Sequence, residues 1–116
     1  MPLLAIRTNV VVGDAELGEL LLECSSRVAG LLGKPEDYVM TMFERVAAMT
    51  MAGRVGPACL VEVRGVGKIS SGQARGVSAA LTEILSTRLG VPSGSIYLNF
   101  MEFSGAMWGF DGGTFG

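Results

Sequence analysis

The spacing of apolar and polar residues divides the chain into short strands and two long amphipathic helices. Residues from Pro2 to Thr8 are almost continuously apolar over a short span, which predicts a strand covered on both faces. From Asp14 the period changes. Leu17, Leu20, Leu21, Cys24, Val28, Leu31 and Leu32 share one face of an α-helix. Gly13 or Asp14 can cap it, Glu16 and Glu19 lie near its positive end, and Gly33-Lys34-Pro35 stops it. A second strand is predicted from Tyr38 to Glu44, with Tyr38, Met40 and Met42 on one side and Val39, Thr41 and Phe43 on the other. A short strand within Ala47 to Ala52 then leads to a turn at Gly53-Arg54-Val55-Gly56-Pro57.

The pattern then repeats. Ala58 to Arg64 reads as a strand and Gly65-Val66-Gly67-Lys68 as a loop. Ser70-Ser71-Gly72-Gln73 opens a helix with a capping box. That helix aligns Val77, Ala80, Leu81, Ile84, Leu85 and Leu89 on one face, ends at Gly90-Val91-Pro92 and leads to a strand from Ile96 to Phe103. Laid one over the other, Ile6-Arg7 falls on Val63-Arg64, and Leu32-Gly33-Lys34-Pro35 on Leu89-Gly90-Val91-Pro92. One residue later, Tyr38 and Glu44 fall on Ile96 and Glu102.

The expectation is one α+β domain of two β-α-β pseudo-repeats, about 2–45 and 58–103, with a C-terminal tail, 104–116. Parallel strand pairs with right-handed crossovers give a four-stranded mixed sheet with both helices on one face. The other face keeps apolar side chains, and self-association is the simplest way to cover it. The tail holds Met107, Trp108, Phe110 and Phe115, too aromatic for a plain flexible end, and is expected to pack on a neighbour.

Composition narrows the chemistry. With 116 residues, 49% of them hydrophobic and 17% charged, the chain can bury one core. Its net charge of -2 argues against nucleic acid or an anionic membrane as partner. No apolar run reaches the length of a membrane span, and the apolar start has neither a basic lead nor a cleavage site, so a cytoplasmic protein without a signal peptide is expected. Cys24 and Cys59 have no CxxC spacing and read as core thiols. The absence of histidine removes the commonest general base, the Ser-His-Asp triad and most catalytic zinc sites. Gly65-Val66-Gly67-Lys68 lacks the third glycine of a dinucleotide loop and the GKS/T of a P-loop. No cofactor or metal is expected.

Four positions retain chemical interest. Excision of Met1 needs a small second residue, which Pro2 supplies, and it would leave a secondary amine, a base where an amide is not. Lys34, at the end of the first helix, either complements the helix dipole or holds a substrate anion. Tyr97 and Asn99 alternate on the last strand and emerge on one face; an Asn inside a strand is disfavoured and needs a reason, such as hydrogen bonding.

Met1-Pro2, Thr8-Asn9-Val10, Gly33-Lys34-Pro35 with Tyr38, Gly67-Lys68-Ile69, Tyr97 with Asn99, and Thr114-Phe115 together resemble the macrophage migration inhibitory factor family of the tautomerase superfamily. The resemblance covers essentially the whole chain. It implies a homotrimer whose sheets line a central barrel, with active sites at subunit interfaces. It also implies that Pro2 is the catalytic base, that Lys34 and the Val66 backbone bind substrate, and that Tyr97 and Asn99 come from the adjacent subunit. Family members of this kind tautomerise phenylpyruvate-like keto acids and dopachrome derivatives, and animal members add leaderless secretion and receptor binding.

Physical chemistry agrees with such a base. An α-amine titrates near 7.7–8.0; an apolar pocket and a nearby cation disfavour its charged form, leaving it free to accept a proton at neutral pH. The chain also departs from its animal relatives. Ala58-Cys59-Leu60-Val61 stands where they carry a CxxC dithiol, Val66 replaces an isoleucine, and Trp108 and Phe110 stand where they place a valine and a tryptophan. Two other readings stay open: a hydratase or dehalogenase, which would call on Arg7 or Arg64, and a cytokine-like binding protein with a vestigial site.

Overall fold

The computed structural model describes residues 2–116, so the expected removal of Met1 lies outside it. Strand β1 (Leu3–Thr8) leads into helix α1 (Asp14–Leu32), which returns the chain to strand β2 (Met40–Arg45), parallel to β1. A small hairpin follows, β3 (Thr50–Met51) and β4 (Arg54–Val55). The second unit runs through β5 (Cys59–Val66), α2 (Ser71–Leu89) and β6 (Ile96–Phe103), with β6 parallel to β5. β1 and β5 pair antiparallel, so the four-stranded sheet has the order β2-β1-β5-β6.

Local chemistry explains the helix ends. Ser70 accepts from the Gln73 amide while the Gln73 side chain accepts from the Ser70 amide, the expected capping box. At the first helix the capping residue is Gly13, with no side-chain cap. Both helices close on a left-handed glycine, Gly33 at φ 63° and Gly90 at φ 70°.

Both helices lie against the same sheet face. Leu4, Ile6, Val61 and Val63 from the strands meet Leu20, Cys24 and Val28 of α1 and Val77, Leu81 and Leu85 of α2. Each fully buried aliphatic side chain contributes about 1.5–3 kcal/mol. Thr8 and Asn9 then fasten the two units together. The buried Thr8 hydroxyl donates to the Ala58 carbonyl at 2.6 Å and accepts from the Val10 amide, while Asn9 donates to Gly56 O and accepts from Ala58 N.

The opposite sheet face differs from its sequence-based description. Leu3, Met40, Met42, Leu60 and Met101 are there, but its centre is ionic. Arg7 bridges Glu44, at 2.9 Å, and Glu62, while Arg64 reaches Glu62 at 3.5 Å. The apolar alternation did not show this, because the strands bring these charges together across the sheet, not along the chain.

Three local expectations are corrected. Tyr38 is not in the second strand: Glu36–Tyr38 forms a 3-10 turn after Pro35, and the strand starts at Met40. Gly65 and Val66 belong to β5, because Glu102 and Phe103 of β6 pair with them. The stretch from Ala47 is a strand only at Thr50–Met51, and its turn is Ala52-Gly53, both left-handed.

Candidate active site

The tail makes its own structure. A 3-10 turn (Gly105–Met107) leads into a hairpin of β7 (Gly109–Phe110) and β8 (Gly113–Thr114). Phe115 stacks on Phe110 with ring centres 5.2 Å apart, and Tyr38 meets both edge-on at 5.8 and 5.4 Å. Trp108 packs edge-on to Phe103 at 5.4 Å. The tail therefore packs on its own chain, because Tyr38 offers a partner that is distant in sequence, while Met107 and Phe110 stay exposed.

Between this cluster and the start of β1 lies a cavity of about 250 Å³, lined by Pro2, Tyr38, Met40, Trp108, Phe110 and Phe115 among others. Pro2 is fully buried, and its carbonyl accepts from the Met40 amide at 3.0 Å. The volume lies below the roughly 300–1,000 Å³ of sites for drug-sized ligands, so it suits a small single-ring molecule. Two larger grooves, about 380 Å³ beside the β3-β4 hairpin and about 300 Å³ between the helices, hold neither Pro2 nor the aromatic cluster.

The other candidate residues divide into two groups. Lys34 leaves α1 through the left-handed Gly33, its amide donating to Ala29 O at 3.0 Å. Its side chain reaches the β5-α2 turn, where Nζ lies 4.0 Å from the place a Cβ would take on Gly67. Lys34 and the Val66-Gly67 backbone thus come together. Tyr97 and Asn99 do not join them: both are exposed on β6, opposite Leu60 and Glu62 on the ionic sheet face, and within one chain none of Lys34, Val66, Tyr97 and Asn99 lines the Pro2 cavity.

The turn beside Lys34 is anchored to the end of β6. Gly67, at φ 88°, donates its amide to Phe103 O at 2.9 Å, and the Ile69 amide donates to the Glu102 carboxylate at 2.6 Å. In the sequence Glu102 stands out only as the repeat mate of Glu44, and no local motif marks its contact with Ile69.

Among the described residues, no group of three or more His, Cys, Asp or Glu is placed to hold a metal ion. Nor is any helix among the described residues long and apolar enough to cross a membrane. Burial pushes the Cys24 thiol up to about 12, and burial raises Cys59 too, against a hydrogen bond from Thr8. Such thiols are inert packing groups at neutral pH.

Fold and cavity define an α+β protein of duplicated β-α-β halves, with a proline at the head of its first strand as the cavity's distinctive group. The profile of the macrophage migration inhibitory factor family matches residues 1–116. The macrophage migration inhibitory factor homolog of Trichuris trichiura is 32% identical, over 99% of this chain and 100% of that protein. Among solved structures, the homologue from Prochlorococcus marinus superposes with a TM-score of 0.92 at 37% identity, covering 98% of this chain and 99% of that one. The Toxoplasma gondii macrophage migration inhibitory factor superposes at 0.94 with 31% identity, covering 97% of this chain and 99% of that one. The chain belongs to the macrophage migration inhibitory factor family, within the tautomerase superfamily.

Proposed function

We propose that the protein is a cofactor-independent keto-enol tautomerase acting on small aryl keto acids of the phenylpyruvate type, with Pro2 as its base. The observation that carries this reading is the burial of Pro2 in a cavity with aromatic walls. Removal of Met1 turns the Pro2 nitrogen from an amide into a secondary amine. The aromatic walls disfavour the charged form of that amine, against the one carboxylate of the lining, Asp37, and its neutral fraction is the base. The neutral amine takes a proton from the carbon beside the substrate carbonyl, and the resulting ammonium returns a proton to the carbonyl oxygen, giving the enol. General acid-base transfer of this kind contributes about 10²–10⁴ in rate.

Lys34 and the backbone around Val66 hold the substrate carboxylate, while Tyr38, Phe110 and Phe115 receive the ring. Tyr97 and Asn99 act from a neighbouring copy in a homotrimer. Support for that assembly comes from their exposure on β6 and from the ionic sheet face that no helix covers. Arg7 and Arg64 are engaged with carboxylates on that face, which disfavours a hydratase or dehalogenase built on either arginine.

Intact mass should show loss of Met1, and the mature protein should convert phenylpyruvate between keto and enol forms. Pro2→Gly should lose at least about a hundredfold of that rate. Retention of Met1, or an unchanged rate in the variant, would sink the mechanism.

A further inference from the structure

The geometry points to Glu102 as a positioning residue that holds the Gly67–Ile69 turn against the sheet and so presents the backbone facing Lys34; the inference rests on the tautomerase reading for what that end of the site binds. Glu102 is two strands away from Pro2 on the same level of the sheet. Gly65 pairs with Glu102, Leu3 pairs with Arg64, and Pro2 is the next residue before Leu3. Its carboxylate spans the end of the β5-β6 pair to accept the Ile69 amide at 2.6 Å.

Ile69 immediately precedes Ser70, the residue that caps α2, so its amide donates to no carbonyl of that helix. A carboxylate there also lies at the positive end of the helix dipole. One residue along β6, Phe103 O accepts the Gly67 amide at 2.9 Å. The turn is therefore tied at both ends to consecutive residues of one strand, and the left-handed Gly67, the end held by Phe103, stands beside Lys34 Nζ. Only the tie at Glu102 is made by a side chain, so only that one can be removed by substitution. A turn released at Ile69 samples orientations in which the Gly67 backbone no longer faces Lys34, and a carboxylate bound between them loses a fixed wall.

Glu102→Ala and Glu102→Gln separate this role from a merely structural one, since glutamine keeps an acceptor oxygen and alanine does not. In Glu102→Ala, KM for phenylpyruvate should rise about tenfold, the scale of one charge-assisted hydrogen bond near solvent, with kcat within about threefold. Glu102→Gln should recover most of that loss. Amide exchange at Ile69 should quicken in the alanine variant, while α2 beyond its first turn keeps its protection.

Binding of 3-phenylpropionate, which has no ketone to enolise, followed at the Gly67 amide by NMR, should weaken about tenfold in the same variant, whether or not the protein turns over a keto acid. If phenylpyruvate is not turned over but this binding still depends on Glu102, the tautomerase reading fails and the positioning role stands. A rapidly exchanging Ile69 amide with unchanged KM and unchanged 3-phenylpropionate binding overturns the role. So does a wild-type protein whose Gly67 amide does not respond to 3-phenylpropionate.

Discussion

The tail hairpin that closes the Pro2 cavity depends on a glycine with no room for a side chain. A Cβ placed on Gly105 would lie 2.7 Å from Phe115 O, 2.8 Å from Phe115 C and 3.1 Å from Gly116 N, where real Cβ atoms essentially never come below 3.0 Å. Gly105→Ala must therefore push the Phe115 backbone away. That movement strains the hydrogen bonds from the Phe115 amide to Gly105 O and Trp108 O, now 3.1 and 3.2 Å, and the contacts of the Phe115 ring with Phe110 and Tyr38. One backbone hydrogen bond contributes about 0.5–1.5 kcal/mol, and each aromatic pair about 0.5–1.5 kcal/mol beyond burial. The cluster is half open to water, so a cost near the lower end, about 2 kcal/mol, is expected.

The cost falls on the hairpin, since no residue of the tail belongs to the hydrophobic core. Opening of the tail should become about thirtyfold more frequent, and chymotryptic cleavage in the tail should quicken in proportion where reclosing is fast. Trp108 is the only tryptophan, so its emission reports on this segment alone and should shift to the red. Gly109→Ala serves as the control, because its Cβ would meet Gly113 O at an ordinary 3.5 Å. Cleavage of Gly105→Ala within twofold of wild type, with unchanged Trp108 emission, would refute the reasoning.

Two further outcomes concern ionisable groups. The Glu62 carboxyl is held below its ordinary 4.5 by its hydrogen bond to Arg7, against the opposing effect of burial, with the charges of Arg7 and Arg64 each adding less than either. The folded state thus binds fewer protons than the unfolded one just below that value. The stabilisation is fully present above about pH 4.5 and is lost as the pH falls through the depressed value. Glu62→Gln should therefore lose less Tm than wild type between about pH 5 and pH 3, and parallel curves would exclude the pair as the cause. Cys24, with its thiol pushed up to about 12, and the buried Cys59 should both resist an aromatic disulfide reagent at about pH 8 and react once denaturant is added. Rapid reaction in the native state would contradict their burial.

Interactions between near neighbours along the chain are the ones that can be read from the residues alone. Helical periodicity, the Ser70-Gln73 box and the glycine stops place α1 and α2, because each acts within a few residues of the chain. The internal repeat makes the paired β-α-β units legible for the same reason. Pro2, Lys34, Tyr97 and Asn99 each stand out locally as candidates, but where they lie relative to one another was not legible along the chain.

Tertiary structure alone decided that Tyr38 leaves its strand to meet Phe110 and Phe115, and that the tail turns back on its own chain through Gly105. It alone put Lys34 beside Gly67 while leaving Tyr97 and Asn99 on another face, and set Arg7 among carboxylates that the alternation pattern could not pair. The physical reason is common to all of these. Each depends on backbone brought together from distant parts of the chain, where strand register and the space available to a single Cβ decide which side chains meet.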